Sequence, residues 1–256
     1  MIRKIATWNV NSLKVRLPHV LDWLAREAPD VLALQETKTE DVNFPGPALE
    51  EAGYHVVFSG QKTYNGVALL TRLPAEDRVT DLPGFDDPQR RILAATVGGW
   101  RIIDLYVPNG SEVGSDKYAY KLDWLARVQD WLRDELARHP HLVVLGDFNI
   151  APDDRDVHDP DAWRDKILCS APERQAFQGW LSLGLEDAYR RFDQPDKSFS
   201  WWDYRMNGFR RNLGLRIDHI LVSPALAERC RACRIDVEPR RLERPSDHAP
   251  VIAEFD

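Results

Sequence analysis

Short apolar runs alternate with amphipathic segments along the whole chain. Runs of this kind that are rich in β-branched and aromatic residues, and that end at glycine, proline or polar clusters, are typical of strands. The runs that predict β-strands are Lys4–Thr7, Val31–Gln35, His55–Ser59, Gly66–Leu70, Ile92–Val97, Arg101–Tyr106, Leu142–Leu145, Arg216–Val222 and Val251–Phe255.

The segments between these runs carry apolar residues at helical spacing. From Asp116 to His139 the spacing predicts one long amphipathic helix. Pro18–Glu27 and Glu173–Leu183 are shorter candidates, and Gly184 follows the second where glycine commonly ends a helix. Strands that alternate with helices predict an α/β architecture in which helices cover sheets.

Composition bounds the class of protein. With 256 residues and 43% hydrophobic content, the chain can form a sizeable core, and we expect one domain spanning residues 1–256. No apolar stretch reaches the ~18 residues of a membrane span, so we expect a soluble, unprocessed protein. The 3 cysteines are too few for a disulfide framework and indicate a reducing compartment, the cytoplasm. Cys230 and Cys233 lack two further zinc ligands nearby and are interpreted as structural.

The formal net charge of −7 argues against nucleic acid as a partner, but the distribution of charge favours it locally. The segment 201–216 carries four arginines and one acid, interleaved with aromatic residues. The arginines are Arg205, Arg210, Arg211 and Arg216. Cations there could hold phosphates while aromatic faces meet sugars or bases. The alternative is a solvated loop whose aromatic residues pack into the core.

Polar residues recur where apolar runs end. Strand ends of a packed sheet lie close together at one rim, so such side chains can converge on one site. The residues in question are Asn9, Glu36, Tyr106, Asp147, Asn149, Asp247 and His248. Extended chain has a period of two, which directs Asp147 and Asn149 to the same side. Taken alone, Glu36 could be a solvated loop residue and Gly-Asp-Phe-Asn an ordinary turn.

A site rich in carboxylate and amide oxygen selects a hard cation. Magnesium is commonly held by one or two carboxylates together with water and substrate phosphate, and manganese can take its place. The chain contains no phosphate-binding loop of the Gly-x-x-x-x-Gly-Lys type, no His-Glu-x-x-His motif and no Gly-x-Ser-x-Gly elbow. Metal-assisted hydrolysis of a phosphate ester therefore leads the candidate reactions.

Asp218 is unusual because it falls inside an apolar strand. A buried carboxylate needs a strong partner, and His248 in Ser-Asp-His is a histidine that Asp218 could orient and hold partly protonated. His219 should point to the opposite face and serve a structural role.

These residues belong to an ordered set of motifs that resembles the exonuclease III family of apurinic/apyrimidinic endonucleases, within the endonuclease/exonuclease/phosphatase superfamily. The resemblance runs from Ile5 to the C-terminus. Its motifs are Trp-Asn-Val-Asn-Ser-Leu (8–13), Leu-Gln-Glu-Thr-Lys (34–38), Tyr-Val-Pro-Asn-Gly (106–110), Gly-Asp-Phe-Asn-Ile (146–150), Ser-Phe-Ser-Trp-Trp-Asp-Tyr-Arg (198–205), Leu-Arg-Ile-Asp (215–218) and Ser-Asp-His (246–248).

The resemblance implies a four-layer α/β sandwich of the deoxyribonuclease I type, with two mixed sheets face to face and helices outside. It implies that Glu36 is the principal metal ligand, helped by Asn9 and Asp247. The catalytic set that it implies is Asp147, which positions or deprotonates water, Asn149, which orients Asp147 or the phosphate, and His248, Asp218 and Tyr106, which act at the scissile phosphate. Trp201, Leu215 and Ile217 match the wall of a pocket for an abasic sugar, and Asn109, Arg205 and Arg216 are assigned to DNA binding.

The implied function is magnesium-dependent cleavage of the phosphodiester 5′ to abasic sites, together with 3′-to-5′ exonuclease and 3′-end-cleaning activity. The expected partner is double-stranded DNA with abasic sites or blocked 3′ ends, and the expected state is a monomer. Two alternatives remain: a superfamily phosphatase that acts on a small phosphorylated substrate, and a non-catalytic DNA-binding protein. The loop Asp153–Asp165 should border the site, and its His158 either approaches the DNA backbone or is an exposed loop residue.

Overall fold

Two six-stranded mixed sheets form the centre of the computed structural model, which describes residues 1–256. In spatial order the first sheet consists of β13 (Cys230–Ile235), β14 (Val251–Phe255), β1 (Lys4–Asn9), β2 (Val31–Gln35), β4 (Val67–Thr71) and β3 (His55–Ser59). The second consists of β5 (Ala75–Val79), β6 (Ile92–Val97), β7 (Trp100–Tyr106), β8 (Leu142–Asp147), β12 (Asp218–Val222) and β9 (Glu186–Asp187). A short ribbon, β10 (Trp201–Trp202) and β11 (Gly214–Leu215), lies apart from both.

Three apolar layers follow from the alternation of side chains along these strands. Along β8, Val143 and Leu145 face the core between the two sheets, while Leu142 and Val144 face the outer helices. Because both faces of the strand are buried, its sequence is continuously apolar. The first sheet is covered in the same way on its outer side. The predicted four-layer α/β sandwich is confirmed.

The helices are α1 (Leu13–Glu27), α2 (Gly46–Glu51), α3 (Asp116–Arg138), α4 (Pro160–Trp163), α5 (Ala171–Ser182) and α6 (Pro224–Ala227). The long helix predicted from Asp116 is confirmed as α3. Helix α1 starts five residues before the predicted start at Pro18, which lies inside it. Pro18 cannot donate a hydrogen bond within the helix, but α1 continues through it, with its apolar face packed on the first sheet. No helix combines the length and apolar character that a bilayer crossing requires.

Most predicted strands are present within one or two residues of their expected bounds. The run Arg216–Val222 is a correction, because the chain leaves β11 at Leu215 and joins β8 only from Asp218 onward. Between these strands the backbone amide of Ile217 donates to Ser200 Oγ and not to a neighbouring strand. The edge strands β5 and β13 were not predicted: β5 is largely polar, and two arginines interrupt the apolar residues of β13.

Sheet directions bring the polar strand ends to one rim. β1 runs parallel to β2, and β7 runs parallel to β8, while β12 is antiparallel to β8 and starts where β8 ends. Gly146 permits a close approach there, because a Cβ atom at this position, where φ is +141°, would lie 1.9 Å from the carbonyl oxygen of Leu105. The strands therefore deliver Asn9, Asp147 and Asp218 to the same edge.

Candidate active site

Three ligand-bearing side chains converge at this rim. One oxygen each from Glu36 and Asp147 and one nitrogen from His248 lie within 4.8 Å of one another. Asp147 and His248 are 1% and 4% exposed, whereas Glu36 is half-buried. The cluster combines two carboxylates, which can hold a divalent metal ion, with one imidazole, which could join them as a ligand only in its neutral form.

Glu36 is held by an amide on one side and by an ammonium on the other. Asn9 Nδ2 donates to Glu36 Oε1 at 2.9 Å and to Asp147 Oδ2 at 2.9 Å. Lys38 Nζ lies 2.8 Å from Glu36 Oε2. Burial by itself raises the pKa of Glu36, but Lys38 and the Asn9 hydrogen bond outweigh burial and lower it. Glu36 is therefore ionised, and Asn9 presents its amide nitrogen, a donor, to the two carboxylates.

His248 lies between two carboxylates. Its Nδ1 atom is 2.9 Å from Asp218 Oδ2, and its Nε2 atom is 3.7 Å from Asp147 Oδ2. Ser200 Oγ donates to the same Asp218 oxygen at 2.7 Å and fixes the carboxylate. Burial lowers the pKa of His248, but the charges of Asp218 and Asp147 outweigh burial and raise the pKa to about 10. The pairing predicted between Asp218 and His248 is present in the structure.

Asp147 is almost completely enclosed at the rim. Burial raises its pKa to about 7, although the His248 charge opposes this. The backbone amide of Asn149 donates to Asp147 Oδ1 at 2.9 Å, and the Asn149 side chain donates to Val107 O at 3.0 Å. Asn109 Nδ2 donates to Asn149 Oδ1 at 3.1 Å. Asn149 has a φ of +48°, a conformation that asparagine tolerates better than most residues.

The Asp247 carboxylate lies outside the group of side chains that could together hold a metal ion. Its carboxylate accepts from Asn11 Nδ2 and from Trp201 Nε1, both at 3.0 Å. It faces the same cavity but is absent from the group of three that could hold a metal ion. Tyr106 also lines that cavity, and burial, followed by the charges of Glu36 and Asp147, raises its pKa well above the ordinary value.

A cavity of about 340 Å³ with an apolar wall adjoins the cluster. The predicted residues Trp201 and Ile217 line it. Leu215 is a correction, because it is fully buried, pairs with the backbone of Trp201 and does not line the cavity. Three further apolar residues of the wall were not predicted: Trp163, Ile167 and Leu168. Trp163 belongs to the loop Asp153–Asp165, so the prediction that this loop borders the site holds.

Arg216 is a second correction. Its side chain is 1% exposed and is held by Asp156 at 2.6 Å and by Asp187 at 2.8 Å. A guanidinium enclosed by two carboxylates is not available to a phosphate, so the predicted role in DNA binding is wrong. Arg216 NH1 also donates to Nδ1 of His219, whose Nε2 donates to the Ile150 carbonyl. This neutral, buried histidine is structural, as predicted.

Basic residues flank the site on two sides. Arg205 lines the cavity, and its side chain is 85% exposed although it pairs with Asp203. On the Glu36 side, a groove that sequence reasoning missed is lined by three lysines, Lys14, Lys38 and Lys62. These lysines are scattered in sequence, so no local charge run signals them. Tyr64, which is exposed, comes directly after Lys62 and Thr63 of this groove in the sequence.

A family model described as "Endonuclease/Exonuclease/phosphatase family" matches residues 6–248. The chain belongs to this family. The region matched contains Glu36, Asp147 and His248 and all strands of both sheets except β14 and the first two residues of β1. Within the family, the chain is 40% identical to exodeoxyribonuclease III of Haemophilus influenzae, over 98% of this chain and 99% of that protein. The resemblance to the exonuclease III group is thereby confirmed.

Solved structures of family members superpose closely. A point variant of the 3′ phosphatase NExo from Neisseria, bound to a product DNA hairpin, is 54% identical with a TM-score of 0.98, over 99% of each chain. An AP endonuclease from Archaeoglobus fulgidus is 41% identical with a TM-score of 0.96, over 100% of each chain. These family members are described by three activities on DNA: exonucleolytic, 3′-phosphatase and abasic-site cleavage.

Proposed function

We propose that the protein is a DNA-repair nuclease that hydrolyses phosphate esters at DNA 3′ ends and 5′ to abasic sites, leaving a 3′-hydroxyl. One observation carries the proposal: the cluster of Glu36, Asp147 and His248 lies in the same cavity as the apolar wall that includes Trp201. The cluster supplies phosphoryl chemistry, and the wall supplies a place for a sugar that carries no base. The similarity to exodeoxyribonuclease III supports the same activity.

The side chains divide the reaction between a base and a donor. Asp147 has a pKa of about 7, which suits a group that accepts a proton from the attacking water near neutral pH. His248 has a pKa of about 10 and remains protonated, so its Nε2–H can donate to a phosphate oxygen on which negative charge develops. Tyr106 offers a further donor at the cavity. The Asn149 side-chain amide is engaged with Val107 O and Asp147 Oδ2 and orients that carboxylate. Loss of a single such preorganised donor costs about 2.7–4 kcal/mol of transition-state stabilisation.

The donor set fits a magnesium ion, with manganese as a substitute. Glu36 is ionised and half-buried, and its carboxylate already binds one cation, the Lys38 ammonium. We propose Glu36 as the principal ligand, with Asn9 and Asp247 shaping the site around it. When bound, the ion polarises the scissile phosphate and neutralises part of its charge.

An acidic protein can bind DNA only through localised positive charge. We propose that the lysine groove formed by Lys14, Lys38 and Lys62 and the arginine edge formed by Arg205, Arg210 and Arg211 hold the backbone on either side of the cluster. Asn109 lines the cavity, and we assign it to the same interface. An extrahelical abasic sugar enters the cavity at low cost, because no base pair is lost.

Two substrate classes compete for the same cavity. With a 3′-terminal phosphate, no nucleotide follows the scissile bond, so the cavity need not hold one. With an internal abasic site, the cavity must hold the abasic sugar, and the duplex must continue past Trp163 and Trp201. The described activity of NExo favours 3′-end processing, and that of the Archaeoglobus protein favours abasic cleavage. Three duplexes that carry a 3′-phosphate, an abasic analogue or undamaged 3′ ends, incubated with magnesium and mapped for product ends, measure the order of preference. Absence of cleavage on all three contradicts the proposal.

We further propose that residues 1–256 act as one domain, since Glu36 comes from one sheet and Asp147 from the other. A monomer suffices, because the cluster and the cavity are complete within one chain. All 3 cysteines are unpaired, which supports a reducing compartment, the cytoplasm.

A further inference from the structure

Lys121 and Glu173 form an ion pair that is completely buried beside the active site. Both side chains are 0% exposed, and the Lys121 ammonium donates to Glu173 Oε1. Removing two charges from water is costly, and a pair of this kind is often no more stabilising than apolar residues of the same volume. Glu173 also completes a capping box with Ser170 at the start of α5, which stabilises that helix. This capping role does not require a buried lysine as partner, and the remaining hydrogen bonds of Lys121 indicate another role for the pair.

The Lys121 ammonium ties together two loops of the active site. Besides Glu173, it donates to the carbonyl oxygen of Asn149 at 2.6 Å and to that of Asn109 at 3.2 Å. The side chains of the same two asparagines are joined by their own hydrogen bond at 3.1 Å. One cation thus fixes the backbone behind Asn149, whose amide holds Asp147.

Glu173 binds the loop that contributes Ile167 and Leu168 to the cavity wall. Its Oε1 accepts from the backbone amide of Leu168 at 3.0 Å, and its Oε2 accepts from Ser170, from the amide at 3.1 Å and from Oγ at 2.6 Å. Tyr118 Oη lies 2.7 Å from the same Ser170 Oγ. Ile167 and Leu168, at the start of this loop, line the cavity.

The two loops meet at Gly110, where the backbone conformation favours glycine. Gly110 has a φ of +88°, and a Cβ atom there would lie 2.9 Å from Ile167 Cδ1 and 3.1 Å from Lys121 Cδ. The stem of Lys121 and the side chain of Ile167 therefore meet over Gly110. A displacement of the ion pair would be transmitted to both loops.

We propose that Lys121 and Glu173 are positioning residues, which set the place of Asn149 beside Asp147 and of the wall formed by Ile167 and Leu168. The inference rests on the proposed function, because its readout is cleavage of DNA. Neither residue lines the cavity, so each acts through the groups that it holds.

Helix α3 offers a matched control. Near its other end Glu135 forms a second buried ion pair with Arg101, at 2.6 Å, with side chains 3% and 4% exposed. Neither residue lines the cavity or forms a hydrogen bond with Glu36, Asp147 or His248. Removing one partner of this pair should lower stability because it leaves a buried charge unpaired, but it should not move an active-site loop.

The test uses single and double variants of both pairs. Lys121→Met and Glu173→Gln each leave one buried charge without its partner and should lower the melting temperature. The double variant Lys121→Met/Glu173→Gln removes both charges and should recover much of that loss. It cannot restore the hydrogen bonds to Asn109 and Asn149. We expect kcat for the preferred DNA substrate to remain about 10- to 100-fold below wild type, with KM changed much less.

The control variants Glu135→Gln and Arg101→Met/Glu135→Gln should show a parallel loss and recovery of melting temperature, with kcat within about twofold of wild type at a temperature where each is folded. If kcat in the Lys121→Met/Glu173→Gln variant recovers along with its melting temperature, the pair serves stability alone and the inference is overturned. If that double variant does not fold, Lys121→Arg supplies the comparison: it keeps the charge but shifts the donors, so it should fold and lose kcat, and full activity in it overturns the inference. An inactive wild-type protein would instead contradict the proposed function.

Discussion

The imidazole Nδ1 atom of His248 lies 2.9 Å from Oδ2 of Asp218, in a position where neither residue is more than 4% exposed. Nδ1 therefore donates to the carboxylate, and Nε2 is directed toward the cavity side, 3.7 Å from Asp147. Burial alone would keep His248 neutral. The two carboxylates outweigh it and raise the pKa to about 10.

Asp218→Asn should slow cleavage of every substrate and change the pH dependence. Without the Asp218 charge the pKa of His248 falls, so the alkaline limb of the kcat profile should move to lower pH. The stability linked to this histidine is fully present below its unfolded pKa of about 6.5. It is lost as pH rises through about 10 in the wild type, and in the variant it should be lost at lower pH. Profiles of kcat and melting temperature against pH measure both effects. An unshifted alkaline limb would show that His248 is not the donor.

Trp201→Ala should reduce the preference for abasic over undamaged duplex while metal dependence persists. The indole forms part of the cavity wall, and its Nε1 also donates to Asp247. Trp201→Phe is the matched control, because it keeps an aromatic wall but loses that hydrogen bond. If Trp201 only serves the core, its truncation would cost about 3–5 kcal/mol of stability and depress all activities together. A destabilised Trp201→Ala protein with an unaltered preference ratio would refute the pocket assignment.

Duplex affinity should fall steeply as salt concentration rises. Alanine at Arg205, Arg211 or Lys62 should reduce the slope of log affinity against log salt by up to about one unit for each phosphate that the variant no longer binds. Arg133→Ala is the control, since Arg133 is an exposed arginine of α3 paired with Asp130. Equal slopes for all four variants and the wild type would remove these residues from the DNA interface.

His158→Gly should change the ratio of exonuclease to abasic cleavage. His158 Nδ1 donates to the Gly214 carbonyl at 3.1 Å, and its ring meets Trp163 edge-on, so it braces the loop that forms one wall of the cavity. His158→Asn retains a donor at that position and should retain more of the wild-type ratio. The ratio is measured on one duplex set under one salt condition. An unchanged ratio in the glycine variant would show that His158 does not influence the choice of substrate.

The sequence predicted which polar side chains meet at the rim better than it predicted the residues that support them. Asp147 and His248 were expected to converge because polar residues adjoin the ends of apolar runs, and the strand directions of the fold bring the two residues together. Arg216 was misjudged because its partners, Asp156 and Asp187, lie 60 and 29 residues away in the chain. No local pattern distinguishes a guanidinium that binds phosphate from one buried between two carboxylates.

The wall formed by Trp163, Ile167 and Leu168 escaped prediction for a related reason. These residues lie in a short helix and a loop without a recognisable periodic pattern, and we infer that the placement of Ile167 and Leu168 depends on the Lys121–Glu173 pair, which joins residues 52 positions apart. A helix pattern also hides Lys121, because one lysine on an amphipathic helix ordinarily faces water. Long-range ion pairs of this kind become visible only in the folded chain.

Glu36→Gln is the most direct test of the proposal that this site is a metal-dependent nuclease centre. The amide is nearly isosteric, so the fold should persist, but the charge that binds a hard cation is removed. Glu50→Gln, at an exposed position of α2, is the control. On a duplex with a 3′-phosphate or an abasic analogue, product formation is measured with magnesium and with excess chelator. We predict cleavage by the wild type and Glu50→Gln in magnesium only, and at least about 100-fold less by Glu36→Gln. Undiminished cleavage by the wild type in chelator, or by Glu36→Gln in magnesium, would contradict the proposed centre.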